Sequence, residues 1–254
     1  MNVLVIDVGG THVKVLASGQ REERKIDSGP TMTAAKMVAA VKRITADWSY
    51  DVISLGYPGP VLHGRPVADP RNLGSGWMNF DFRRAFRRPV KIVNDAAMQA
   101  LGCYRGGRML FLGLGTGLGC ALVVDGQVEP MELAHLPYRK GQTYEDYVGA
   151  RGLARLGKKR WRRYVRDVVK RLRTALGAEL VIVGGGNAKL LKKVPVGVRL
   201  GSNENAFRGG FKLWADESSR RLGRPRRRPR AGRSTRKRVK PLGRGRGPAR
   251  KGRR

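Results

Sequence analysis

Apolar residues recur along this chain in two rhythms, short unbroken or alternating runs that read as strands and wider-spaced recurrences that read as helices. Val5-Ile6-Asp7-Val8-Gly9-Gly10-Thr11-His12-Val13-Lys14-Val15 places β-branched residues on both sides of a Gly-Gly pair, the pattern of strand, tight turn and strand. Arg24-Lys25-Ile26 adds a third short strand before the Ser28-Gly29-Pro30 break. Between Thr33 and Trp48 the positions Met37, Val41, Ile44 and Trp48 keep helical spacing behind Thr33 as N-cap. Val52 to Leu55 then reads as a buried strand ending in Gly56-Tyr57-Pro58-Gly59-Pro60. Three antiparallel strands, a helix and a parallel strand are the opening of a ribonuclease-H-like α/β unit.

From Pro58 to Phe86 periodicity lapses, and a long irregular loop inside a compact domain is usually functional or disordered. Its Asn72, Trp77, Asn79 and Phe80 suit a binding loop. Val90 to Val93 is predicted as a strand and Ala96 to Tyr104 as a helix, with Asn94-Asp95 between them. Leu110 to Val124 then repeats the opening pattern, with Gly113-Leu114-Gly115-Thr116-Gly117 as its turn, and Asp125-Gly126 makes a tight hairpin into Gln127-Val128. A second matching unit predicts a duplicated fold, with an N-terminal lobe over 1–104 and a C-terminal lobe over 105–219 facing each other across a cleft. Trp161, Tyr164, Val165, Val168, Val169, Leu172, Ala175 and Leu176 mark a long amphipathic helix. Leu180 to Val183 reads as a strand, Ala188 to Leu191 as the start of a helix, and Ser202 to Ser218 as a last helix around Ala206, Phe207, Phe211 and Trp214.

Charge changes this picture at one end. The chain of 254 residues carries a formal net charge of +34, and 18 of its 53 Lys and Arg lie in 220–254, where no acid stands. Arg, Pro and Gly dominate that tail, so it is expected to be disordered. The remaining 35 basic residues still outnumber 19 acids, which suits a polyanionic ligand or general attraction to nucleic acid. Arg162, Arg163, Arg166, Lys170, Arg171 and Arg173 gather on one face of the long helix, either as a solvated face or as an anion track. Cys103 and Cys120 are too few for a disulfide framework or a zinc cluster and suit a reducing cytoplasm. No basic leader with a cleavage site precedes the first strand, and glycines and a Thr break the uncharged stretch from Met109 to Val124, so neither signal peptide nor membrane helix is expected.

The turns hold the candidate chemistry. Gly9 and Gly10 let backbone N–H groups approach phosphate oxygens, Thr11 adds a hydroxyl, and Asp7 can hold Mg²⁺ directly or through water. Asp95 stands at the carboxyl end of a strand, where open α/β sheets bind ligands, although by position alone capping of the next helix is the favoured explanation. Glu132 and His135, three apart, can both face a polyhydroxylated ligand, and Glu145 stands at the entrance to the helical region. Gly184-Gly185-Gly186 running into a helix N-terminus is a natural anion seat.

Asp7-Val8-Gly9-Gly10-Thr11, Asn94-Asp95-Ala96, Gly115-Thr116-Gly117-Leu118-Gly119 and Gly184-Gly185-Gly186 stand in the order seen in actin-like sugar kinases. Over roughly residues 3–216 the chain resembles the repressor/kinase (ROK) family, most closely its polyphosphate glucokinases, through Tyr57-Pro58-Gly59-Pro60-Val61, His63-Gly64 and the Asn72 and Trp77 pair. The resemblance implies an actin-like ATPase fold, a general base at Asp95, and sugar contacts from Asn72, Asn94, Asp95, Glu132, His135 and Glu145. It implies a phosphate and Mg²⁺ shell of Asp7, Gly9, Gly10, Thr11, Gly115, Thr116 and Gly117, with Lys14 as an electrostatic helper and Gly185 and Gly186 nearby. It also implies a homodimer. The family's Cys-rich zinc motif is missing after His135, so no structural zinc is expected, and Ala134 stands where the family usually has Gly.

The resulting expectation is a cytoplasmic kinase moving phosphate from inorganic polyphosphate, or from ATP, to glucose. An ATP-only hexose kinase would use the same two turns. A non-catalytic sugar sensor or nucleic-acid-associated protein is the rival of another class, but the chain opens at the first phosphate strand rather than at a helix-turn-helix domain. The Arg-rich tail is a candidate tether for nucleic acid or another polyanion.

Overall fold

A computed structural model describes residues 1–202 and 204–215. The first sheet is built by β1 (Val3–Val8), β2 (His12–Ala17), β3 (Arg24–Asp27), β4 (Val52–Tyr57) and, after a small hairpin of β5 (Val61–Leu62) and β6 (Arg65–Pro66), β7 (Val90–Asn94), in the order β3-β2-β1-β4-β7. β1 to β3 are antiparallel, and β4 lies parallel to both β1 and β7. All six residues of β4 are buried, as a central parallel strand with both faces covered requires. Helix α1 (Ala34–Ile44) starts where Thr33 accepts from the Lys36 N–H at 3.3 Å, and it buries Met37, Val38 and Val41. The stretch expected to be wholly irregular holds the β5–β6 hairpin and a short helix α2 (Phe82–Phe86), started by an Asp81 side-chain cap on the Arg84 N–H.

The second sheet repeats the first. β8 (Arg108–Leu114), β9 (Leu118–Val124) and β10 (Gln127–Met131) are antiparallel, and β13 (Leu180–Gly184) and β14 (Val198–Leu200) add parallel strands in the order β10-β9-β8-β13-β14. Between them come a hairpin of β11 (Pro137–Arg139) and β12 (Gln142–Thr143), α4 (Tyr144–Val148) and α5 (Ala150–Leu176). α5 lays Trp161, Val165, Val168, Val169 and Leu172 into the second core, and the Trp161 indole donates to the Val148 carbonyl at 2.8 Å. It is two helices joined at Gly157, whose φ of 70° and ψ of 161° interrupt the helical path, and it ends on left-handed Gly177.

α3 (Asp95–Cys103) touches β4 and β7 of the first sheet and β8 and β9 of the second. α6 (Asn205–Lys212) closes over α3, β1 and β4, and Gly102, Gly209 and Gly210 permit it. A side-chain carbon on Gly102 would strike the Asn205 carbonyl, and one on Gly209 the Met98 carbonyl. Ser54 donates to the Gly210 carbonyl at 2.6 Å, fixing α6 to β4. The last helix is therefore shorter than the predicted Ser202–Ser218, of which 203 and 216–218 lie outside the described residues, as does the tail expected to be disordered. The helix expected from Ala188 is a single 3₁₀ turn, Ala188–Leu190, because the chain turns back at Leu191 toward β14. Among the described residues no helix is long and apolar enough to cross a membrane.

Candidate active site

Register brings the acids together. Asp7 on β1 lies beside Gly56 on β4, which lies beside Val93 on β7, so Asp7 and Asp95 both reach the carboxyl edge of the first sheet. Gly56 keeps that edge open, since a Cβ there would stand 3.5 Å from Asp7 Oδ1 and collide with the Met98 methyl. Both acids are half-buried. Burial pushes Asp95 up to about 7, helped by the negative charges of Asp7 and Glu132 and opposed by the Ala96 N–H, which donates to Oδ1 at 2.7 Å. Burial likewise pushes Asp7 up to about 6, against the pull of Lys14, its cross-strand neighbour. Lys14 is itself paired with Glu23 at 3.0 Å.

Asn94, not Asp95, caps α3: its side-chain oxygen accepts from the Ala97 N–H at 3.1 Å while its amide donates to the Gly59 carbonyl at 3.1 Å. That removes the simple capping explanation for Asp95 and leaves Asn94 one amide hydrogen for a ligand.

The first glycine turn is tight, with Gly9 N–H donating to the His12 carbonyl at 3.0 Å and the Ser28 hydroxyl donating to the Gly9 carbonyl at 2.6 Å. Thr11 is exposed at its tip. Asn72 packs over the turn, its Cβ 3.2 Å from where a Gly10 side chain would begin. The residue that shapes the loop carrying Asn72 is Asp69, which sequence reasoning missed. Its carboxylate accepts from the Gly76, Trp77 and Met78 N–H groups at 3.2, 2.8 and 2.9 Å, and these bonds hold its carboxyl below the usual range. An acid ahead of Pro70 and a glycine-containing loop was the available signal. The Trp77 ring is fully buried, and its indole donates to the Met32 carbonyl at 3.1 Å, so Trp77 anchors the loop rather than lining it.

The second turn, Gly115-Thr116-Gly117, closes by a Gly115 N–H to Gly117 carbonyl bond of 3.1 Å and leaves Thr116 exposed. Glu145, at the start of α4, turns onto it: Oε2 accepts from the Leu118 N–H at 3.2 Å, where any side chain on Gly117 would collide with it. One Glu145 oxygen remains for a ligand. Gly185, at φ 82°, lies against the Leu114 backbone, and the Asn187 amide donates to the Gly115 carbonyl at 3.0 Å. Gly184-Gly185-Gly186 buttresses the second turn and runs into a 3₁₀ turn rather than the expected α-helix N-terminus, while Gly186 faces open space. Glu132 and His135 flank a 3₁₀ turn with His135 Nε2 at 3.7 Å from Glu132 Oε2, and the Ala134 methyl is buried in the second core. Cys103 and Cys120 are free thiols that burial pushes up to about 11 and about 12.

Two sheets of identical strand order, each ending in a glycine turn, with acids at a carboxyl edge, make this an actin-like ATPase fold. A polyphosphate/ATP-glucomannokinase from Arthrobacter sp. strain KM superposes with a TM-score of 0.74 at 24% identity over 85% of this chain and 99% of that one. A ROK family glucokinase from Streptomyces griseus, in complex with glucose and AMPPNP, gives 0.69 at 17% identity over 84% and 99%. Residues 3–130 match the ROK family, and the chain belongs to it. Among curated proteins, the bifunctional enzyme NanE/NanK of Brucella melitensis biotype 1 is 29% identical over 146 residues, 50% of this chain. The chain spans only 27% of that relative's length.

Proposed function

We propose that the chain is a sugar kinase that transfers a phosphoryl group from inorganic polyphosphate, or from ATP, to the 6-hydroxyl of glucose. The observation that carries this reading is Asp95, a half-buried acid raised to about 7 at the sheet edge that it shares with Asp7. A carboxylate of that basicity accepts the hydroxyl proton as the oxygen attacks phosphorus and the bond from phosphorus to the donor's bridging oxygen breaks. Asn72, Asn94, Glu132, His135 and Glu145 orient the sugar in this scheme, and the two turns receive the donor phosphates. The Asp7 carboxylate, a hard oxygen donor beside the first turn, fits Mg²⁺ completed by phosphate oxygens and water. When bound, that ion supplies charge neutralisation. The lobes over 1–104 and 105–219 close around the substrates, and a homodimer is the proposed assembly. The named donor of the Arthrobacter relative supports polyphosphate use, and the surplus of cations on α5 supports it further.

The test is a coupled glucose 6-phosphate assay with Mg²⁺, comparing polyphosphate with ATP for wild type and Asp95→Asn. Turnover with polyphosphate, lost in the variant, is expected. Turnover with ATP alone would retain the base and discard polyphosphate as donor. Sugar binding without turnover would favour the sensor reading.

A further inference from the structure

Away from the glycine turns, α5 and the segment between β13 and β14 enclose a cavity of about 620 Å³. Its floor is apolar, with Val169, Ala178 and Val198 all buried. Its rim is cationic: Arg166 and Lys170, one helical turn apart on α5, are both exposed. Among the described residues no carboxylate lines it. The one acid of α5, Asp167, is turned away to Arg171 at 3.0 Å and to Tyr138, and Glu179 accepts from the Arg108 N–H at 3.2 Å. Arg173 borders the cavity but is occupied, donating to the carbonyls of Ala178, Val196 and Glu179 at 3.2, 2.8 and 3.2 Å. Arg166 Nε donates to the Arg162 carbonyl at 3.4 Å, but neither Arg166 nor Lys170 has an acidic partner among the described residues, and both stand over a greasy floor. Strands rise about 3.3 Å per residue, so the four steps of β13 span roughly 13 Å, and Ala178 lies before its foot, at the end opposite Gly184. The cavity is separate from the proposed active site.

We propose that this cavity binds a small anionic amphiphile, a carboxylate bearing an apolar tail. Arg166 and Lys170 hold the carboxylate, and the tail displaces water from Val169, Ala178 and Val198. The cavity falls in the size range that takes small molecules. An inorganic anion gains nothing from the floor, a neutral hydrocarbon leaves the rim cations unanswered, and a second copy of this basic chain brings like charges together.

Calorimetric titration of the full chain with octanoate tests this, beside octanol and sulfate and beside two variants, Arg166→Glu/Lys170→Glu and Thr174→Trp. Thr174 is an exposed α5 position on the cavity wall, where an indole fills the space. One octanoate per chain is expected, weakened at least about tenfold by either variant, with octanol and sulfate each at least about tenfold weaker than octanoate on wild type. Octanoate binding that both variants leave unchanged overturns the site. Sulfate binding as tightly as octanoate reduces it to a charged surface, and octanol binding as tightly reduces it to an apolar groove; either result overturns the proposal. Unaltered thermal midpoints establish that the variants fold. Should the double reversal not fold, Thr174→Trp and the wild-type comparison decide the matter alone.

Discussion

Asp95 takes its chemistry from its surroundings more than from its type. A free aspartate is ionised well below neutral pH, whereas burial and the neighbouring Asp7 charge hold this one near 7. The free enzyme should therefore lose kcat/KM as pH falls through about 7, with apparent values that belong to the Asp7–Asp95 pair rather than to either acid. Asp95→Asn should lower turnover by about 10²–10⁴-fold, the usual worth of a positioned base. The same shift acts on stability with a definite sign. Because the folded protein binds the Asp95 proton more tightly than the unfolded chain does, this contribution is full below about pH 4 and is lost as pH rises through about 7. Thermal melts of Asp95→Asn should thus gain on wild type as pH rises from 4 to 8; parallel melting curves at both pH values would remove the buried-acid explanation. Asp69 acts differently, as a positioning residue. Asp69→Ala releases three N–H groups and the loop that carries Asn72, so KM for the sugar should rise about tenfold while kcat changes less, and Asp69→Asn should restore part of it.

At the scale of elements, the tightest constraint is the α3–α6 contact. Gly209→Ala would drive a methyl into the Met98 carbonyl, and overpacking of this kind costs about 1–3 kcal/mol. A fall in thermal midpoint of about 2–4 °C per kcal/mol would register it. Gly157→Ala belongs to a different mechanism: there is open space for the methyl, but φ of 70° with ψ of 161° is a backbone region reserved for glycine, so about 1–3 kcal/mol of strain is expected. Strands β1 to β4, β7 to β10 and β13, with α1 and the apolar face of α5, were legible because their patterns match one burial period each, whereas β11, β12 and β14 went unread. The 3₁₀ turn at Ala188 and the hairpin inside the 58–86 loop were not, because short elements carry too few periodic positions to announce themselves.

Over the whole molecule, charge is the dominant feature, yet the cations of α5 are not equivalent. Arg162, Arg166 and Arg173 donate to backbone carbonyls and Arg171 pairs with Asp167, whereas Arg163 and Lys170 are exposed. Lys170 stands on the rim of the separate cavity, so an anion track along this helix rests on Arg163. Charge reversal at Arg163 should weaken polyphosphate binding and flatten its salt dependence by roughly one counterion, as measured by affinity against log salt. A chain ending at Ser219 should keep sugar-kinase turnover and lose affinity for nucleic acid if the tail is the tether; equal affinity in both chains would free the tail of that role.

The order of strands, the doubling of the unit and the identity of Asp7, Asp95 and both glycine turns are written in the chain, because hydrophobic period and turn chemistry are local properties. Folding alone decided that Asn94 rather than Asp95 takes the cap, and that Glu145 leans on the Leu118 N–H. It likewise decided that the third glycine run braces the second turn, that Asp69 clasps the loop carrying Asn72, and that Gly209 admits α6 to α3. Each of these depends on the distance between residues far apart in the chain, and a one-dimensional pattern carries no such distance.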